Sequence, residues 1–591
     1  MPVWINWLAG LAALIVASFW LWPLLRSGPE VTLIRWPLAY ALSLGGVTLI
    51  MAAIGLMPGR WLSRTTVWAV VIVAGAIGGA ALYRERLISP DIKWGRSGAA
   101  LKSGSLRAWG GLGIVGVAVI VTAFAMYYPF IGEDEISRYA FYAKRIWLDH
   151  SLGPDVRGYP MLMSLAYALT FFASSDTFEQ LAKMTPVLFS IMTVCAAAAL
   201  AMRWGSGRAG WMAAALLAAT PLYVEWSPVG YVDIPPALHL TLSAFAADVW
   251  LEKRNWRWAA LAGALAGLSL WTKQSGLVAL ASLGLVFAVA VLRDGRTVRS
   301  GDAVRAAGHG LIALAAVFVT GGWWYVRNAI YDGWANAVPN PGDYYTNLAE
   351  RTWANALPFL GHPADFGYGI GLAYALGLAM LVVRVVRGEG RGYHFWLMAW
   401  SVPYSLLWFF LFSYGTRFLL TVLPFFAVLA ALELAPLIER LLTRRPSLRW
   451  AAVTGLLIAF AAGSAGRWGG VYHWTVNPLA SNEQRLAYAK PDLAGTVAFL
   501  RDHTKPSADV ISMDGRFSYY FADRPYRVFY PATAAAAKEG DYLIVGSWAE
   551  TVYPGFGLSN TDLFAALKDP AQFERLFTSE GGALTVYRVV K

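Results

Sequence analysis

Three consecutive acids, Glu133, Asp134 and Glu135, follow directly on the apolar run "GLGIVGVAVIVTAFAMYYPF". A carboxylate at such a lip can serve as a general base if it is ionised and near the reacting centre. Neighbouring carboxylates raise one another's pKa, which favours a base or a bound cation. The chemistry in view is proton abstraction beside a metal or a phosphate. The plainer alternative is an interfacial cap, because acids favour the N-terminal end of the helix that follows, "ISRYAFYAKRIW". Four more ionisable residues, Asp233, Lys273, Arg327 and Arg417, stand at the ends of apolar segments. Charges kept there are costly and are functional candidates by default. Asp233 also fits a cap for a helix starting at Ile234, with Pro235 in its first turn. The basic residues also fit snorkelling toward lipid headgroups.

The elements that position these groups are membrane spans. Of the 591 residues 57% are hydrophobic and only 14% charged, too few charges for a soluble domain. The fold class is a polytopic α-helical membrane protein. Apolar segments of spanning length fall near 4–25, 36–57, 66–83, 109–128, 184–202, 209–224, 235–251, 258–271, 275–292, 307–324, 365–384, 394–411, 416–434 and 450–468. That gives about fourteen spans. The net charge of +12 implies no nucleic acid, because Lys and Arg collect in cytoplasmic loops. The single cysteine, Cys195, excludes an intrachain disulfide and argues against a metal-thiolate site. The first apolar segment lacks a basic leader and a cleavage site, so it reads as a retained span.

Positive charge concentrates in alternate loops, such as "YRERLISPDIKWGRSGAALKSGSLR" with six Lys/Arg. By the positive-inside rule these loops are cytoplasmic. The alternation requires 159–173 to be a re-entrant or interfacial helix. The acid triplet, Asp233, Lys273, Arg327 and Arg417 then share the outer face. Four regions follow: extra N-terminal helices over 1–83, a basic cytoplasmic loop over 84–108, a membrane region over 109–469 with outer loops 129–183 and 325–364, and a tail over 470–591. In the tail "PDLAGTVAFLRDHT" reads as a helix, and "DVISMD", "DYLIVGSW" and "ALTVYRVV" as strands. This predicts a small α/β extramembrane domain.

Five motifs in order resemble the GT-C membrane glycosyltransferases, the polyprenyl-phosphate-sugar enzymes that include protein mannosyltransferases and the aminoarabinose transferase of lipid A. They are "DEISRYAFYAK" with "YPMLMSLAY" and "LAKMTPVLF", then "SPVGYVDIPPALHLTLSAF", "LAGALAGLSLWTKQSGLVAL", "GGWWYVRNAIYDGWANAVPNP" and "YGTRFLLTVLPFFAVLAAL". The likeness covers roughly 109–435 and leaves the three N-terminal spans outside it.

The resemblance implies an inverting transfer of a sugar from a polyprenyl phosphate to a glycan, glycolipid or protein acceptor, at the periplasmic or extracellular face of a multi-pass cell-membrane protein. It implies that Asp134 is the catalytic base, with Glu135 and then Glu133 as the register alternatives. Lys273, Arg327, Arg417 and Arg138 become donor-phosphate ligands. Asp233, Tyr139, Tyr159, Tyr344 and Tyr345 become substrate contacts, and the segment around 336–353 a lid over the donor. The resemblance leaves metal dependence open, and Asp134 and Asp233 suit a divalent Mg or Mn ion. The competing function class is a transporter or flippase of lipids or lipid-linked sugars. Against it, the sequence shows no symmetric halves and no matched pair of broken spans.

Overall fold

The computed structural model describes the chain from Pro2 to Val590 apart from 26–31, 82–103, 154–155, 157–158, 297–299, 335–351, 412–414, 445–450, 529–532, 548, 550–560 and eight positions between 452 and 464. Among the described residues fifteen α-helices precede residue 335. They are α1 Val3–Phe19, α2 Thr32–Gly55, α3 Arg64–Ala81, α4 Gly104–Tyr127, α5 Ala140–Asp149, α6 Leu162–Ser174, α7 Glu179–Ala182, α8 Met184–Trp204, α9 Gly207–Ala219, α10 Pro221–Trp226, α11 Ile234–Lys253, α12 Trp256–Thr272, α13 Val278–Arg296, α14 Ser300–Val317 and α15 Trp323–Asp332. Later in the chain come α16 Tyr368–Val386, α17 Gly392–Leu411, α18 Leu423–Arg444 and α19 Ala465–Val476.

The protein is a multi-pass membrane protein, and among the described residues seven helices are long and apolar enough to cross a bilayer. The other segments expected to span fall short for local reasons. Helix α9 stops at Ala219 ahead of Pro221, and α12 stops at Thr272, where Lys273 turns extended. Helix α18 carries Glu433, Glu439 and Arg440.

Helix α6 is the segment expected to be re-entrant or interfacial. All thirteen of its residues are buried. At 1.5 Å per residue it is about 20 Å long, short of a hydrocarbon core of about 30 Å. Helices α1, α2 and α3 pack over it. The N-terminal helices also reach the segment after α4: Arg60 donates to the carbonyls of Leu148 and Asp149 at 2.9 and 3.0 Å, closing the C-terminal end of α5. Leu152 N–H donates to Gly55 O at 2.7 Å.

The tail adds α20 Asn482–Ala489 and α21 Pro491–His503. Ser481 opens α20 with a capping box to Gln484, and Pro491 occupies the first turn of α21. Five strands follow: β1 Val510–Ser512, β2 Tyr526–Val528, β3 Tyr542–Gly546, β4 Phe573–Thr578 and β5 Leu584–Val589. Their order is β2-β1-β3-β5-β4. The first three are parallel, with Val510 opposite both Tyr526 and Tyr542. The β3–β5 and β5–β4 pairs are antiparallel. The small α/β unit expected in the tail is present; β2 and β4 were not among the expected strands.

Candidate active site

The acids sit on a loop whose backbone is fixed from three sides. Lys183, buried at the start of α8, donates to the carbonyls of Tyr128 and Pro129, both at 3.0 Å. Glu179 of α7 accepts from Phe130 N–H at 2.7 Å. Glu135 accepts from the N–H groups of Ile131 and Gly132 at 3.0 and 2.8 Å, and from Gly230 N–H at 2.7 Å. A side chain at Gly132 or Gly230 would collide: an added Cβ would lie 2.7 Å from the Tyr231 ring in the first case and 2.5 Å from Glu135 Oε1 in the second. After Asp134 the backbone makes a π turn, Glu135–Tyr139, before α5 begins. Such turns are frequent at functional sites.

This loop presents Asp134 to Arg417. Arg417 Nη2 lies 3.3 Å from Asp134 Oδ2, and its Nε lies 3.5 Å from Asp233 Oδ2. Lys273 Nζ donates to Asp233 Oδ1 at 2.5 Å. Asp233 is 2% exposed, whereas the Asp134 side chain keeps about a quarter of its surface. Two carboxylates and two cations thus form one charge-balanced chain, Asp134–Arg417–Asp233–Lys273. Aromatic rings wall it in: the Arg417 guanidinium stands 5.1 Å from Trp226, 5.0 Å from Tyr231 and 5.0 Å from Phe418. Tyr231 Oη also accepts from Asp134 N–H at 2.9 Å. Thr421 donates to Asp233 O at 3.2 Å.

Four local rules build this arrangement. Asp233 precedes α11, whose first turn holds Pro235 and Pro236, so the helix begins where its acid is needed. Lys273 occupies the break after α12, and Arg417 the first turn of the 3₁₀ segment Thr416–Thr421. Glu135 ties the loop after α4 to the loop before α11 through Gly230.

The other expected site residues divide. Tyr139 is buried beside the network, and burial pushes its phenol well up, with the charges of Asp134 and Asp233 adding to the effect. It therefore stays a proton donor. Arg138 Nη1 donates to Tyr159 Oη at 2.6 Å, and the Tyr139 and Tyr159 rings lie 6.1 Å apart. Arg327 does not join the chain of four as expected. Its Nη1 donates to Val156 O and Asn328 Oδ1, both at 3.3 Å, and its guanidinium lies 4.6 Å from the Trp324 ring. Glu135, an alternative for the base, is corrected by its setting: it is fully buried and its oxygens hold three backbone N–H groups. Glu133 is exposed. Tyr344, Tyr345 and most of the expected lid lie outside the described residues.

Among the described residues no group of three or more His, Cys, Asp or Glu side chains is placed to hold a metal. Asp134 and Asp233, the oxygen donors considered for Mg or Mn, both face Arg417. A divalent ion between them would have to displace the guanidinium, so the donor set does not fit one. Glu179, Lys183, Tyr231 and Trp226 went unread in the sequence. The only signal was an acid and a base four residues apart in "FEQLAKM", which also reads as an ordinary helix start.

An apolar cavity of about 640 Å³ opens beside the network, between α16, α17 and α18. Leu378, Leu397, Val402, Phe409 and Phe425 line it, together with Leu419, two residues beyond Arg417. The arrangement can hold an anionic headgroup at the cations with an apolar chain running into the groove.

The sequence profile of the dolichyl-phosphate-mannose-protein mannosyltransferase family matches residues 160–324. No protein of curated function matches the sequence. Among solved structures, ArnT from Cupriavidus metallidurans in the apo state superposes with a TM-score of 0.53 at 15% identity, covering 81% of this chain and 97% of ArnT. ArnT bound to undecaprenyl phosphate gives 0.51 at 13% identity, covering 81% and 98%. The archaeal oligosaccharyltransferase AglB from Archaeoglobus fulgidus is more distant, at 0.49 and 13% identity over 81% of this chain and 74% of AglB. The chain shares its fold with ArnT.

Proposed function

We propose that the protein is an inverting glycosyltransferase that moves a sugar from a polyprenyl phosphate to an acceptor at the outer face of the membrane. One observation carries this reading: a partly exposed carboxylate and two fixed cations share one mouth, and an apolar groove of lipid-tail character opens beside it. The fold shared with ArnT, which has been crystallised with undecaprenyl phosphate, supports the donor class. So does the family profile over the central helices.

In this mechanism the donor's phosphodiester lies against Arg417 and Lys273, with its polyprenyl chain in the groove. Asp134 takes the proton of an acceptor hydroxyl. The acceptor oxygen bonds to the anomeric carbon as the bond from that carbon to the phosphate oxygen breaks, and the electron pair leaves with the polyprenyl phosphate. The departing monoester carries more negative charge than the diester. Cations fixed in a water-poor site stabilise that growing charge without reorganising. Arg417 suits the task by its forked donors and Lys273 as a point charge. Asp233 holds both cations in place. Arg138 and Arg327, which bond Tyr159 and the Val156 carbonyl, add positive potential nearby.

Alternate-loop positive charge supports the outward placement of this mouth. The transporter alternative is disfavoured because it leaves the general base without a task. The test is Asp134→Asn in purified protein given a radiolabelled polyprenyl-phosphate sugar and native acceptor membranes. Transfer is abolished while donor binding persists. Full transfer by Asp134→Asn would end the assignment.

A further inference from the structure

A second cavity, a cleft of about 740 Å³, lies between the first outer loop and the tail domain and has no part in the mechanism above. One wall comes from α5 and the turn before α7, and the other from α20 and α21. Its polar lining includes Lys144, Glu179, Asn482, Glu483, Arg501 and Asp502. Lys144 Nζ donates to Tyr519 O at 3.0 Å. Lys144 and Glu179 feel each other's charge, yet among the described residues no ion pair joins them. The α20 and α21 wall is kept open by small residues, Ala487, Ala494, Gly495 and Ala498. The volume is in the range of ligand sites, about 300–1,000 Å³.

The cleft's floor is the acid loop itself. Pro129 lines it. Phe130 is gripped from both sides, its N–H by Glu179 at 2.7 Å and its carbonyl by the Tyr520 hydroxyl at 3.0 Å. Asp134 stands five residues beyond Pro129. An extended backbone covers at most about 3.6 Å per residue, so the base is within about 18 Å of the cleft. The lining excludes a polyanion, because carboxylates outnumber the two cations, Lys144 and Arg501. Carboxylates and amides set among cations suit neighbouring hydroxyl groups.

We propose that this cleft binds the acceptor, and that the bound part is a polyhydroxylated glycan chain long enough to carry a terminal hydroxyl to Asp134. The inference rests on the glycosyltransferase reading and adds the acceptor's class and place.

The test plugs the cleft reversibly. Ala498→Cys, on a Cys195→Ala background, places one thiol on the open wall, and Ala487→Cys places it on the neighbouring helix should the first variant fail to fold. A bulky methanethiosulfonate is attached and later removed with dithiothreitol. Two rates are read with a radiolabelled polyprenyl-phosphate sugar: transfer to native membranes from a strain lacking the protein, and the slower hydrolysis of the donor to free sugar. The plug lowers transfer by about tenfold or more and leaves hydrolysis within about twofold, and reduction restores transfer. Undiminished transfer in the plugged protein overturns the proposal. Equal loss of both rates overturns it too, by showing that the cleft acts through the acid loop and not on the acceptor. If the unplugged protein shows neither rate, the glycosyltransferase reading itself fails and the inference falls with it.

Discussion

Asp233 touches two cations, and Lys273 touches one anion. Truncating the two should therefore have unequal effects on stability. At an effective dielectric of about 20, the Lys273–Asp233 contact at 2.5 Å is worth about 7 kcal/mol and the Arg417–Asp233 contact at 3.5 Å about 5 kcal/mol, before desolvation is counted. Removing Lys273 as Lys273→Met leaves Asp233 compensated by Arg417 and also removes the ammonium's own desolvation cost. We expect a net loss of about 2 kcal/mol. Asp233→Asn leaves Lys273, which is 8% exposed, facing Arg417 without its carboxylate. That isolates a buried cation and costs about 3–5 kcal/mol. The double variant removes one charge of each sign and leaves Asp134 with Arg417, so its loss falls below the sum of the singles by about 3–5 kcal/mol. Thermal unfolding of detergent-purified protein reads the order: the wild type highest, Asp233→Asn lowest, and the double variant at or above Lys273→Met. Equal effects of the two single changes, or strict additivity in the double, would refute the electrostatic account of the network.

Three further outcomes are expected. Glu135→Gln turns an amide toward backbone donors and loses charge-assisted hydrogen bonds, so it lowers stability by about 2 kcal/mol and transfer with it, whereas Asp134→Asn lowers transfer alone; parallel melting and transfer assays check this. Leu378→Trp narrows the apolar groove and raises KM for long-chain polyprenyl donors more than for short-chain analogues, with kcat for the latter little changed; a chain-length series measures it. Treatment with EDTA leaves the transfer rate unchanged, because Arg417 stands where a divalent ion would bridge Asp134 and Asp233; recovery of lost activity on adding Mg or Mn would contradict the geometry.

The charged members of the network were legible because they interrupt apolar sequence. Asp134, Asp233, Lys273 and Arg417 each stand out where a charge is expensive, and three of the four meet at a helix boundary that Pro, Gly or a backbone break marks. What the sequence withheld was division of labour. Nothing in "EDE" distinguishes the exposed Glu133 from the buried Glu135, because the difference comes from Gly230, far along the chain. Arg327, also at the end of an apolar run, lies inside α15 and is held by Val156 O and the Trp324 ring in another contact. Strand β2 escaped notice because three residues, Tyr526–Val528, carry too little alternation. Strand β4 mixes Glu574 and Arg575 with its apolar positions and contains a bulge. The charge alternation makes α6 re-entrant or interfacial, but its complete burial depends on the N-terminal helices packed over it, and no local pattern announces that.

The bond from Gly230 N–H to Glu135 has a mechanical corollary. It clasps the segment bearing Asp134 to the segment bearing Asp233, so under the proposed mechanism a displacement of either carboxylate is felt at the other.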